Sequence, residues 1–161
     1  MILNPSTGAV LYEVEPAADP VALLDRAREA QPAWAALGAQ SRGARLAHAA
    51  KRIAEDSELV DLIVSDVGKP ITEARAEVGR AAVILRYAAG QAYAPAGELF
   101  EDVTGAHVRV LRAPRGAVLL ITPWNFPIAI PVWKLAPALM YGNTVVLKLA
   151  YEAPLTGLHV A

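Results

Sequence analysis

At 161 residues, with 55% hydrophobic and 19% charged side chains, the chain has the length and composition of one ordinary globular domain with a core, which excludes a disordered polymer. A net charge of −1 from dispersed basic and acidic residues offers no patch for phosphate backbones or anionic lipid, so nucleic acid is excluded as a partner. The lack of cysteine excludes disulfides, thiolate metal sites and any thiol nucleophile within these residues.

The first residues, Met1-Ile2-Leu3-Asn4-Pro5, lack a basic region followed by an apolar run, so a cleavable secretion signal is not expected and the cytoplasm is. Asn4-Pro5-Ser6-Thr7-Gly8 is a turn signal, and Val10-Leu11-Tyr12-Glu13-Val14 favours an extended segment, giving a short strand or hairpin. Asp19-Pro20 predicts a helix start with Val21, Leu24 and Ala27 on one face, ending near Gln31-Pro32. Ser41 is expected to cap a second helix with Ala44, Ala47, Ala50 and Ala54 in register; Ser57 is expected to cap a third, which bears Leu59, Leu62 and Ile63 and stops at Gly68. Pro70 opens the clearest helix, in which Ile71, Ala74, Val78, Ala82, Leu85 and Ala89 recur at helical spacing while the charges read as a solvated face.

After Gly90 the pattern changes. Pro95, Gly97 and Gly105 punctuate a loop or ribbon, and His107 to Arg112 alternates as an exposed strand that needs a partner. Gly116 to Thr122 is apolar without alternation, as in a parallel strand buried on both faces, and Thr144 to Lys148 is a second such run. Ile130 to Tyr141 predicts the crossover helix between them, with Pro137 as a kink and Gly142-Asn143 at its end, so the fold class is α/β with a right-handed crossover. Gly116 to Met140 is apolar enough to resemble a membrane span, but Pro123, Asn125, Pro127, Pro131 and Lys134 interrupt it, and no membrane span is expected. The shift near residue 115 is the one candidate boundary.

In open parallel sheets, ligands bind beyond the carboxyl ends of strands, and two segments here hold that position: Thr122-Pro123-Trp124-Asn125-Phe126-Pro127 and Lys148-Leu149-Ala150-Tyr151-Glu152. The prolines stiffen the first, so Asn125 is either an amide donor preorganised for a developing oxyanion or an ordinary capping asparagine. Lys148 is either a reader of ribose hydroxyls or a solvated strand terminus. There is no Gly-x-Gly-x-x-Gly and no Walker loop, so a dinucleotide is held some other way. His48, His107 and His159 lie on separate elements without metal-ligand spacing; they read as surface or core histidines and no metal is expected.

Ile121-Thr122-Pro123-Trp124-Asn125-Phe126-Pro127, then Trp133-Lys134-Leu135-Ala136-Pro137-Ala138-Leu139, then Gly142-Asn143-Thr144-Val145-Val146-Leu147-Lys148 form a long ordered signature that resembles the aldehyde dehydrogenase superfamily. Asn4-Pro5-Ser6-Thr7-Gly8, Gly68-Lys69-Pro70, Glu77-Val78 and Tyr87-Ala88-Ala89-Gly90 are similar to the amino-terminal region of that family, so the resemblance spans essentially the whole chain. It implies amino-terminal helices plus the start of a Rossmann-like parallel sheet, with residues 1–161 as part of a cofactor-binding domain, residues 95–113 beginning an oligomerisation ribbon, and the catalytic domain absent. It further implies an oxidoreductase that uses NAD or NADP on an aldehyde and is a homo-oligomer in the full-length form. The residue matching Asn125 donates to the thiohemiacetal oxyanion, those matching Ile121, Thr122, Pro123 and Trp124 line the cofactor cleft, and the lysine matching Lys148 contacts the adenosine ribose.

The chain departs from the family's Lys-Pro-Ser/Ala-Glu at Lys148-Leu149-Ala150-Tyr151. Tyr151 stands where a carboxylate commonly accepts from ribose hydroxyls, and Glu152 is one position later; Ala150 offers no hydroxyl to a 2′-phosphate, which leaves NAD and NADP open. The family's cysteine nucleophile and general-base glutamate fall outside these residues, so the chain is expected to be inactive alone. The alternative is a non-catalytic binding or assembly module that associates with full-length subunits. The wording of residues 128–131 and 138–142 is closest to semialdehyde and aromatic-aldehyde branches, such as 2-oxoglutarate semialdehyde, vanillin and benzaldehyde dehydrogenases.

Overall fold

The computed structural model describes residues 1–13 and 19–160, so Val14, the end of the first expected strand, and Ala161 lie outside the described residues. β1 (Ile2–Leu3) and β2 (Val10–Tyr12) pair antiparallel around the turn, where the Asn4 carboxamide oxygen accepts from the backbone N–H groups of Ser6 and Thr7. α1 (Pro20–Ala36) starts as its sequence indicates, with the Asp19 carboxylate accepting from Val21 N at 2.9 Å and Pro20 in the first turn. It does not end at Pro32. That proline lies on the exposed side, where its missing N–H costs least, and the next turn is anchored by Trp34 Nε1 donating to Leu139 O at 2.9 Å.

α2 (Gly38–Glu55) begins three residues before Ser41, because Gly38 turns the chain in the left-handed region (φ 75°) and leaves Ser41 inside the first turn. Its buried stripe is Gly43, Leu46 and Ala50; Ala44 and Ala47, expected inward, face solvent, since burying Leu46 removes more apolar area than burying an alanine. α3 (Glu58–Val67) is present, but Ser57 does not cap it: the Asp56 carboxylate accepts from Glu58 N and Leu59 N, and Ser57 itself is already helical. The helix stops at Gly68 as expected, with a left-handed backbone there.

α4 (Ile71–Gly90) buries Ala74, Val78, Ala81, Ala82, Leu85 and Ala88. One of its charges is not on the solvated face: Glu77 is 2% exposed. A short 3₁₀ turn (Gln91–Tyr93) leads to β3 (Gly97–Glu101), which pairs antiparallel with β4 (His107–Leu111), so the exposed strand expected at His107 finds its partner within the chain.

β5 (Ala117–Ile121) and β6 (Thr144–Lys148) form the expected parallel pair, joined through α5 (Ala129–Met140). Asn143 latches this unit. Its side-chain oxygen accepts from Arg115 N and Gly116 N, and its amide donates to Ala138 O, tying the start of β5 to the end of α5. β5 was expected to be covered on both faces, but Leu119 and Ile121 are exposed, because α1 and α5 cover only part of the pair among the described residues. α6 (Leu155–His159) follows.

The core lies among the helices. Leu46 and Ala50 of α2, Leu59 and Ile63 of α3, Val78, Ala81 and Leu85 of α4, and Ile128, Val132, Ala136 and Met140 at α5 form one cluster. α5 therefore has one side in the helical core and the other on the sheet, which carries the position of the β5–α5 loop from the core to the strand ends.

Candidate active site

Strand register brings the two predicted segments together. Ile121 is opposite Lys148 at the carboxyl ends of β5 and β6, and Thr122 extends the ladder by donating its N–H to Lys148 O at 3.2 Å. Thr122 is buried and its hydroxyl turns toward the same carbonyl at 3.4 Å, so this residue stitches the strand ends together. Lys134, from the second turn of α5, donates to Ile121 O at 2.7 Å and ties the helix to the end of β5.

The chain then leaves the sheet. Pro123, Trp124, Asn125 and Phe126 are exposed, whereas Pro127, Ile128 and Ala129 are buried as α5 begins. The Asn125 carbonyl accepts from the Lys69 ammonium at 2.9 Å, and that ammonium lies 4.0 Å from the centroid of the Phe126 ring. Among the described residues no hydrogen bond occupies the Asn125 side-chain amide. Asn125 is thus exposed while its backbone carbonyl is held by Lys69.

Lys69 also pairs with Glu77, and the two side chains are 10% and 1% exposed. The other Glu77 oxygen accepts from Ile128 N and Ala129 N, each at 3.1 Å. Two N–H groups at the start of α5, which have no partner within the helix, are satisfied by a carboxylate from α4, and the negative charge sits at the favourable end of the helix dipole. A carboxylate buried this deeply is tolerated because a cation and two N–H groups meet it.

In the second segment, Lys148 is exposed, Ala150 is buried at 7% exposure and Tyr151 is 61% exposed. Lys148 and Tyr151 are therefore accessible at and just beyond the end of β6, while Ala150 is packed inward. The following loop is tied back through α6. Asp66, buried at the end of α3, accepts from Thr156 N at 3.0 Å and the Thr156 hydroxyl at 3.1 Å. Burial pushes the Asp66 carboxyl above its ordinary range, opposed by those hydrogen bonds. His159 pairs with Asp56 at 2.8 Å, and this hydrogen bond holds the Asp56 carboxyl below its ordinary range.

Lys69 and Glu77 as neighbours of the site are not evident from residue type. A signal for Glu77 exists in the spacing: it falls three residues after Ala74 and four before Ala81, inside the apolar stripe of α4, where a charge needs a buried partner. Nothing in the sequence indicates that the partners come from residues 69 and 128–129. A groove between α1, α5 and β6, lined by residues such as Leu23, Ala27, Leu139 and Val146, contains none of the predicted site residues. Among the described residues, no three His, Cys, Asp or Glu side chains gather into a metal-binding group, and no helix is long and apolar enough to cross a membrane.

The geometry agrees with relationships to known proteins. The alpha-ketoglutaric semialdehyde dehydrogenase of Bacillus subtilis is 41% identical over 132 residues, covering 81% of this chain and 27% of that protein. A probable NADP(+) succinate-semialdehyde dehydrogenase of Sinorhizobium fredii is 40% identical over 158 residues, covering 96% of this chain and 32% of that protein. The crystal structure of PnpE in complex with nicotinamide adenine dinucleotide, a protein of Pseudomonas sp. WBC-3, superimposes with a TM-score of 0.93 at 37% identity, over 99% of this chain and 34% of that one. The chain thus spans between 27% and 34% of the length of these relatives. The family model described as "Aldehyde dehydrogenase family" matches residues 1–161, the whole sequence, so the chain belongs to the aldehyde dehydrogenase family.

Proposed function

We propose that these residues supply the dinucleotide-facing crevice and the oxyanion donor of an enzyme that oxidises an aldehyde to a carboxylic acid with NAD or NADP. The observation that carries this reading is Asn125, whose backbone is held by Lys69 while its amide stands open beside the carboxyl ends of β5 and β6. The residues fit a dinucleotide: an exposed ammonium at Lys148 lies beside the last residue of the neighbouring parallel strand, where ribose hydroxyls are reached in open α/β sheets. Ile121, Pro123 and Trp124, all exposed, form the wall of that crevice, with Thr122 beneath them. When bound, the dinucleotide supplies the hydride acceptor. Asn125 donates its amide N–H to the oxygen that becomes anionic when a cysteine thiolate adds to the aldehyde carbon, and so lowers the barrier to the tetrahedral thiohemiacetal. These 161 residues hold no cysteine, so the thiol comes from outside them and the chain alone turns over no aldehyde.

The substrate class is a small aldehyde, and the likeness to semialdehyde dehydrogenases favours a chain-terminal aldehyde that carries a carboxylate at its other end. Tyr151 and the exposed Glu152 leave room for both NAD and NADP, since no carboxylate occupies position 151 to repel a 2′-phosphate. Residues 95–113 act as an assembly ribbon; the β3–β4 hairpin exposes Phe100, Val108 and Val110 on one face and Leu99 and Leu111 on the other, apolar side chains suited to contact with a second subunit. The test is turnover by a polypeptide that carries these residues together with the cysteine. Asn125→Ala lowers kcat about 10²–10³-fold with KM nearly unchanged. An unchanged kcat would remove Asn125 from the mechanism.

A further inference from the structure

The Lys69–Glu77 pair does more than satisfy a buried charge. It touches the loop at two places on either side of Pro127: Lys69 binds the carbonyl of Asn125 itself and the ring of Phe126, and Glu77 binds the N–H groups of Ile128 and Ala129. Glu77 issues from the second turn of α4, a 20-residue helix with its apolar stripe in the core, and Lys69 from the segment that leads into it, two residues before the first helical residue. A helix cap alone needs only Glu77. The lysine adds a bond to the backbone of the residue that bears the open amide, which a cap does not require.

We infer that Lys69 and Glu77 are positioning residues that clamp the loop of residues 125–129 to α4 and so set where the Asn125 amide points. The clamp works by division of labour. Glu77 fixes the start of α5, from which the loop hangs. Lys69, held in place by Glu77, fixes the peptide that joins Asn125 to Phe126, directly after the donor side chain. Its ammonium donates to the Glu77 carboxylate and the Asn125 carbonyl and lies over the face of Phe126. With the carbonyl held, rotation of the Asn125 peptide is restricted, and the donor meets an incoming oxygen without first being ordered. The catalytic meaning of the clamp rests on the proposed role of Asn125; its existence does not.

The test uses the ¹⁵N-labelled chain, with Lys69→Met, Lys69→Arg and Glu77→Gln compared with Leu46→Ala, a core variant on α2 that makes no hydrogen bond to the loop. The readouts are the Asn125 side-chain amide resonance, hydrogen exchange at Ile128 and Ala129, and NAD titration. Lys69→Met is expected to shift and broaden the Asn125 amide signal, and Lys69→Arg to restore it, because a guanidinium retains the charge and the donors. Glu77→Gln keeps an acceptor for Ile128 and Ala129 but confronts Lys69 with an amide, so it disturbs Asn125 while exchange at 128–129 rises less than about tenfold. Leu46→Ala lowers Tm without moving the Asn125 signal. An Asn125 signal identical in wild type and Lys69→Met, or disturbed equally by Leu46→Ala, overturns the clamp. Failure of the wild-type chain to bind NAD counts against the proposed function alone, since the amide readout still decides the clamp.

Discussion

Replacing Glu77 by alanine removes a carboxylate that is 1% exposed and makes three identified contacts. Ile128 N and Ala129 N, both buried, lose their acceptor, and a buried unsatisfied polar group costs about 1–3 kcal/mol. Lys69, 10% exposed, is left as a cation without its counter-ion. These penalties overlap, because water entering the vacated space relieves some of each, so they are not summed; breaking one partner of a buried pair costs about 3–5 kcal/mol, and we expect Glu77→Ala in that range. Domains of this size are stable by about 5–15 kcal/mol, so the variant consumes much of the total. Glu77→Gln, which retains the acceptor, should lose about 1–2 kcal/mol. Urea unfolding followed by circular dichroism measures both, through a lowered midpoint at an unchanged slope. A loss below about 1 kcal/mol for Glu77→Ala would mean that the carboxylate is solvated, as the other charges of α4 are, and would refute the reasoning.

Three further outcomes follow from contacts elsewhere in the fold. The raised Asp66 carboxyl binds its proton more tightly folded than unfolded, so its contribution favours folding fully below the ordinary value of 3.8 and is lost as pH rises through the raised folded value. Asp66→Asn, which still accepts from Thr156, should therefore be more stable than wild type at pH 7 and flatten the pH dependence between pH 4 and neutrality, measured as Tm against pH. Asp56 has the opposite sign: its stabilisation is present above 3.8 and fades as pH falls through the lowered value, and His159→Gln should move the Asp56 carboxyl back up in an NMR titration at a cost below about 1 kcal/mol. Arg42 donates to Ala35 O at 2.8 Å and Met140 O at 2.9 Å, joining the ends of α1 and α5; Arg42→Met should cost about 1–3 kcal/mol in thermal unfolding.

The parts legible in the sequence share a short-range cause. The apolar runs at Ala117–Ile121 and Thr144–Lys148 and the helix between them follow from pattern and from a turn at Gly142-Asn143, and the structure has them as expected. Helix ends were less legible, because they depend on which neighbour satisfies a backbone group: Trp34 and Arg42 extend and secure α1 past Pro32 through partners about a hundred residues away. Asp56 rather than Ser57 caps α3 because two adjacent polar residues both suit the role and the backbone selects one. At the strand ends, Asn125 and Lys148 were visible through chain position and loop stiffness, whereas Lys69 and Glu77 were visible only within the Gly68-Lys69-Pro70 and Glu77-Val78 motifs, with no indication of what they touch. Their importance comes from tertiary contact with residues 125–129, which no local pattern encodes.

The central claim is that the strand ends at Ile121 and Lys148 form a dinucleotide half-site, and calorimetric titration of the folded chain with NAD and with NADP tests it most directly. Saturable binding is expected for at least one of them, weakened about 10–100-fold by Lys148→Ala, the loss of one charged hydrogen bond, and little changed by Asn125→Ala. A folded chain that binds neither, or binds equally well without the Lys148 ammonium, would contradict the assignment of this crevice to the cofactor.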